Sequence, residues 1–176
     1  ADDYNEVKAI GRATGSTRTQ AQTDAANYWG LTNPTATIAS ALRPAANTQG
    51  GSVADHARLF ASAYTNIADA VIVTWRDKAR YLFWRPLTAI QQGDADGNPA
   101  TEGEPGWTPL IAAPPYPDHP SGLATVGCSA MESLRYFYGR DDATFSGTTL
   151  PTAATPNGVT RTFNSFSQLC EDIVDA

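Results

Sequence analysis

Lysine, histidine, cysteine and methionine are all scarce in this chain. Its 176 residues contain only Lys8 and Lys78, His56 and His119, Cys128 and Cys170, and Met131. Two Cys and two His at these separations form no zinc pattern, so no structural metal is expected. No apolar run approaches the ~20 residues of a membrane-crossing helix, so no membrane span is predicted. Twelve Lys and Arg stand against 18 Asp and Glu, a net charge of −6, which argues against nucleic acid or an anionic membrane surface as a partner. Internal repeats and low-complexity tracts are also missing. What is present is 41% hydrophobic residues with four Trp and seven Tyr, enough apolar material for one globular unit, and a single domain over residues 1–176 is expected.

With lysine so rare, the position of Lys78 is informative. It opens the segment Lys78-Ala-Arg-Tyr-Leu-Phe-Trp-Arg85-Pro86. The spacing predicts a helix from Ser52 to about Phe83, with Ser52 as N-cap and Pro86 disfavouring helical geometry at Arg85. Ala57, Tyr64, Val71, Lys78 and Arg85 recur at seven-residue steps, two helical turns apart, flanked by Phe60, Ile67, Ile72, Trp75 and Leu82. Lys78 therefore continues an apolar stripe, and Arg85 lies roughly 10 Å further along the axis with a side chain long enough to reach back. Two cations so placed could close on one anion. The alternative is that Lys78 runs past Trp75 into solvent and Arg85 pairs with a nearby carboxylate, as most helical cations do.

A second segment, Pro114-Pro-Tyr-Pro-Asp-His119-Pro120-Ser121-Gly122, is too rich in proline to be helical. The run from Leu123 to Tyr138 after it reads as a helix ending at Gly139. Pro120 suits a first turn, and Ser121 and Gly122 offer a hydroxyl and unobstructed N–H groups at the positive end of that helix, where anions bind readily. An ordinary capped helix after a proline-rich turn has the same pattern.

Taken together, the two segments resemble the first two signature motifs of the superfamily that unites type 2 phosphatidic acid phosphatases, bacterial class A acid phosphatases and vanadium-dependent haloperoxidases. Lys78 through Pro86 match the first motif, Lys, six residues, Arg-Pro. Pro120-Ser121-Gly122 match three places of the second, Pro-Ser-Gly-His. The neighbouring Trp84-Arg-Pro-Leu-Thr-Ala-Ile90 and Asp94-Ala-Asp-Gly-Asn-Pro99 look most like the bacterial haloperoxidase-like branch. The resemblance implies an all-α fold, a helical bundle enclosing an oxyanion site, and a secreted or periplasmic location. By carry-over, Lys78 and Arg85 bind the equatorial oxygens of phosphate or vanadate, and Ser121 and the Gly122 N–H add hydrogen bonds. Vanadate is the cofactor so implied, and a small oxyanion or phosphate ester the partner.

This sequence departs from the pattern at two places. Leu123 replaces the histidine of Pro-Ser-Gly-His and cannot carry a proton. His119, on the other side of Pro120, is the only nearby candidate for a substitute acid, set against a loop histidine that merely hydrogen-bonds locally. The family's third motif has no counterpart, and His56 matches nothing. The last helix, about Asn164 to Ala176, carries an apolar stripe of Phe166, Leu169, Cys170, Ile173 and Val174 with no stop signal after it. The expectation is a fragment whose site is completed by a further C-terminal segment or a second chain. In the family's bundle Cys128 and Cys170 should lie near one another, either as a disulfide or as two buried thiols.

Elsewhere, helices are predicted over 4–13, 19–29 and 35–46, the last with a break at Pro44. A long irregular loop follows from Gln91 to His119. Asp94, Asp96 and Asn98 invite a calcium reading, but Gly97 does not fit an EF-hand loop. A small β-hairpin is predicted within 144–162 around Pro156-Asn157-Gly158, since Asn-Gly is a strong turn signal. Two function classes remain open: an oxyanion enzyme, phosphatase or vanadate-dependent peroxidase, and a catalytically inactive homologue that keeps the cradle for binding or packing.

Overall fold

Helical segments and turn signals follow one another along the chain as the spacing predicts. The computed structural model, which describes residues 1–176, resolves them as α1 (Asp2–Ile10), α2 (Gln20–Gly30), α3 (Pro34–Thr48), α4 (Val53–Tyr81), α5 (Pro86–Gln91), a 3₁₀ turn (Gly93–Ala95), α6 (Gly122–Tyr138), β1 (Asp142–Thr148), β2 (Thr160–Ser165) and α7 (Phe166–Val174). The fold is an all-α bundle with one small antiparallel hairpin. Contacts within it divide into two compact units, residues 1–23 with 76–120 and residues 24–75 with 121–176.

The larger unit, 24–75 with 121–176, holds an extensive apolar core. Tyr28 and Trp29 of α2, Ile38 and Leu42 of α3, Leu59, Ala63 and Ile67 of α4, Met131 and Leu134 of α6, Phe145 and Phe163 of the hairpin, and Phe166, Leu169 and Ile173 of α7 all meet there. Asn33 starts α3 by accepting hydrogen bonds from the N–H groups of Thr35 and Ala36, with Pro34 in the first turn. The break expected at Pro44 does not occur, and α3 continues to Thr48. Pro44 removes a backbone donor, but Ala41, Leu42, Ala45 and Ala46 around it are buried, and this packing outweighs the proline's penalty.

The hairpin forms around the expected turn, with strands reaching beyond 144–162 at both ends. Phe145 faces Phe163 across the two strands, and the strands are joined by a longer connection in which the Gly158 N–H bonds to Thr155 O and the Thr149 N–H to Val159 O. Pro156-Asn157-Gly158 makes the bend, with Gly158 at φ +70°. On β1, Ala143, Phe145 and Gly147 point inward in alternation. Gly147 is required there, because a Cβ would overlap the Tyr28 hydroxyl and Ala41.

The buried face of α4 is rotated from the expected stripe but keeps Ile67 and Lys78, with Phe60 and Val71 partly buried against the core. Ala57, Tyr64, Ile72 and Trp75 lie exposed, while Leu59, Ala63, Ile67, Thr74 and Lys78 are buried. The apolar residues run almost all round this helix, so the sequence left its orientation open, and the choice fell on the face whose small Ala63 permits close packing.

Three devices hold α7 in the larger unit. Gly127 of α6 admits Ile173 so closely that a Cβ would overlap its Cδ1. Cys128 and Cys170 are joined as a disulfide with Cα atoms 4.8 Å apart. Asp172 accepts a hydrogen bond from Trp29 Nε1 at 2.7 Å and forms an ion pair with Arg161.

The smaller unit, 1–23 with 76–120, is built on polar ties rather than a large core. Its long segment after α5 is ordered against α1. The Tyr4 hydroxyl and Lys8 Nζ donate to Glu102 O at 3.0 and 2.8 Å, and Trp107, buried, donates from Nε1 to Lys8 O at 2.9 Å. Arg12 pairs with Glu104.

Two consequences for stability can be measured. The disulfide closes a loop of sequence separation 42, so Cys170→Ser should lower the unfolding free energy by about 2–4 kcal/mol in urea titration, and added reductant should lower the wild type by the same amount. Tyr28 is 0% exposed, and its hydroxyl makes no hydrogen bond of normal length and angle, with Ser40 the side chain near enough to interact weakly. Burial pushes its phenol up from 10.0 to about 12, with the Asp172 charge adding and Ser40 and Arg161 opposing. A raised folded-state pKa favours the neutral phenol. Its contribution is therefore full below pH 10 and is lost as pH rises towards about 12, a fall of up to about 3 kcal/mol. Tyr28→Phe should lack this alkaline loss. Near neutrality it should match the wild type or exceed it by up to about 1 kcal/mol, since it removes an unsatisfied buried group.

Candidate oxyanion site

The last turn of α4 carries the first candidate, and the backbone then turns sharply. Leu82 sits at φ +51°, a left-handed conformation uncommon for a residue other than glycine, and its N–H bonds to Lys78 O at 3.0 Å. The helix thus stops at Tyr81, two residues short of the predicted end. Arg85 follows in extended geometry, as the proline after it requires, and Pro86 begins α5. Arg85 is therefore brought back towards Lys78 by a turn, where continued helix would have carried it away along the axis.

Both cations meet the segment Tyr116 to Asp118. Lys78 is 2% exposed, and its Nζ donates to Pro117 O at 2.9 Å and to Asp118 O. Arg85 donates from Nε to Tyr116 O at 2.9 Å and from Nη2 to Pro117 O at 3.4 Å, so the two cations share one carbonyl. Its Nη1 pairs with the Asp118 carboxylate at 2.8 Å. Tyr116 serves both, with its ring centroid 5.4 Å from Lys78 Nζ and 4.7 Å from the guanidinium. Burial pushes the Lys78 ammonium below its usual pKa, the Arg85 charge adds to that, and Asp118 opposes it. Lys78 does not run into solvent, as the bland reading of the helix held, whereas Arg85 does take a carboxylate partner. Tyr116 and Asp118 were missed by the sequence reading. Their signal was the stiffness of Pro-Tyr-Pro-Asp, which holds successive carbonyls along one edge.

In the larger unit, Ser121 is the N-cap of α6, its Oγ accepting from the Ala124 N–H at 3.2 Å. That bond uses the oxygen and leaves the hydroxyl proton to donate. Gly122 is the first residue of α6, and its N–H belongs to the first-turn donors that lack intrahelical acceptors. Leu123 is partly buried and packs against the apolar core. The hydroxyls of Thr74 and Thr125 are 2.9 Å apart, tying this first turn to α4 within the same unit.

The remaining candidates are placed elsewhere. His119, bonded to Pro120 through a cis peptide, packs its ring on Phe83 with centroids 5.3 Å apart. His56 lies at the start of α4, with Nε2 3.1 Å from Gly50 O. Asp94 and Asp96 are used to shape their loop. Asp94 accepts from the Gly103 N–H at 2.8 Å, and Asp96 accepts from the Asn98 N–H and the Thr101 hydroxyl, both at 2.6 Å. These bonds hold the Asp96 carboxyl below its usual pKa. No cluster of three or more His, Cys, Asp and Glu side chains is arranged to hold a metal ion, and no helix is long and apolar enough to cross a membrane.

Two comparisons with known proteins bear on the family of this chain. Residues 58–176 match a family model described as the VCPO second helical-bundle domain. A vanadium chloroperoxidase from Curvularia inaequalis is 38% identical over 95 residues, an alignment that takes in 48% of this chain and 15% of that protein. The chain thus corresponds to a small part of the length of that curated relative. With most of its residues matched to the domain model, the chain belongs to the vanadium chloroperoxidase family, to its second helical-bundle domain.

Proposed function

We propose that this domain binds a tetrahedral oxyanion, phosphate or vanadate, through Lys78 and Arg85. The observation that carries the reading is the convergence of Lys78, buried, and Arg85 on the single carbonyl of Pro117. Two positive charges meet there with one carboxylate, Asp118. A fixed excess of positive charge at low exposure is favourable toward anions, and ammonium and guanidinium groups are both donors to oxyanion lone pairs.

This donor set fits vanadate as well as phosphate. The matched relative is a vanadium chloroperoxidase, and vanadate bound here would supply a centre for the peroxide chemistry that such a name implies. The chain's own residues would orient the anion: Arg85 by directional N–H donors, and Lys78 as a point charge set in place by its carbonyl partners. The segment that the family resemblance calls for as third motif has no counterpart among residues 1–176, so turnover by the whole enzyme would need that contribution from another segment or chain.

A second reading is favoured by Leu123. It stands where the family has a proton-carrying histidine, and its side chain packs with the apolar core. On this reading the domain binds oxyanion without turning it over. Assays for phosphate-ester hydrolysis and for vanadate-dependent halide oxidation separate the two.

Titration calorimetry with phosphate, and with vanadate in competition, tests the site itself. One shared site is expected, and failure of the wild type to bind either anion would overturn the reading. Lys78→Met, which keeps the chain length and removes the charge, should weaken phosphate binding at least about tenfold, as expected for a charged hydrogen bond. Ser121→Ala should lower stability by about 1 kcal/mol through loss of the α6 cap, measured by urea titration.

A further inference from the structure

Three of the donor directions of Arg85 are already taken within its own unit. Nε is held by Tyr116 O, Nη2 by Pro117 O, and Nη1 by the Asp118 carboxylate. The two carbonyls belong to the backbone of the stiff Pro114–Pro120 run and can only be neutral partners. Asp118 differs in kind. Its backbone is fixed from both sides, the N–H donating to Phe83 O at 3.1 Å and the C=O accepting from Lys78. Its carboxylate is therefore delivered to the guanidinium by main-chain bonds that do not depend on the side chain. The carboxylate is 41% exposed against 21% for Arg85, so it forms the outer, solvent-facing side of the pair.

We infer that Asp118 is a built-in competitor that sets the affinity and charge preference of the oxyanion site: its carboxylate occupies the Arg85 edge that an incoming anion would use. Binding is then an exchange in which the ligand displaces this carboxylate from the guanidinium. With Asp118 in place, Lys78 and Arg85 present a net single positive charge, matched to a singly charged anion. Coulomb repulsion scales with the product of charges, so Asp118 opposes a doubly charged anion about twice as strongly as a singly charged one of the same shape. This inference rests on the oxyanion reading of Lys78 and Arg85.

The test uses the full 176-residue chain with Asp118→Asn and Asp118→Ala, titrated with sulfate and perchlorate, tetrahedral anions of charge −2 and −1. Both variants keep the backbone bonds to Phe83 and Lys78, and circular dichroism melting checks that they fold. The expected result is sulfate binding at least about tenfold tighter than wild type in both variants, with a clearly smaller gain for perchlorate. A general loosening of the loop would move both anions alike and would not produce that change of ratio. If the wild type binds sulfate and the variants bind it equally or more weakly, the competitor role is overturned while the oxyanion site stands. If neither wild type nor variants bind any of these anions, the oxyanion reading itself fails and the competitor role falls with it.

Discussion

The burial of one ammonium group governs the arrangement around the candidate site. Lys78 is 2% exposed, and an ammonium cannot be withdrawn from water without acceptors. The carbonyls of Pro117 and Asp118 meet that demand, and a proline-rich segment suits the task because its restricted backbone holds successive carbonyls in place at little further entropic cost. Tyr116, Asp118 and Arg85 are then positioned by consequence. The left-handed turn at Leu82 brings Arg85 to the segment that Lys78 has already fixed.

In the larger unit the governing constraint is the close approach of α6 and α7. Gly127 allows it sterically, the Cys128–Cys170 bond makes it covalent, and Asp172, bonded to Trp29 and Arg161, adds a polar tie. The helix whose first turn carries Ser121 and Gly122 is thus held along its length by a core from every element of that unit. The groups at the start of such a rigid element keep their direction.

Membership of the vanadium chloroperoxidase family and the chemistry of this particular chain are separate matters. The matched domain brings the scaffold. Leu123 against the core and Asp118 on Arg85 are features of this chain's own residues, and both bear on what the scaffold can do. One puts a side chain that cannot carry a proton after Pro-Ser-Gly, and the other sets a carboxylate against the guanidinium.

By itself the sequence determined the helical class, the approximate extent of α2, α3, α4 and α6, the presence of a hairpin, and the unusual placing of Lys78 in an apolar stretch. Each of these is written in local chemistry: apolar spacing, caps, prolines that forbid helix, and a cation in an apolar stretch. It could not determine which face of α4 would be buried, because apolar residues surround that helix and only neighbours distant in sequence decide among them. Nor could it foresee the intact helix through Pro44, where packing of Ala41, Leu42, Ala45 and Ala46 outweighs a local penalty. The partners of the two cations were beyond it as well. Tyr116 and Asp118 stand more than thirty residues from Lys78 and Arg85 in the chain, and main-chain carbonyls carry no residue-type signal, so only the tertiary structure could bring those acceptors to the charges that need them.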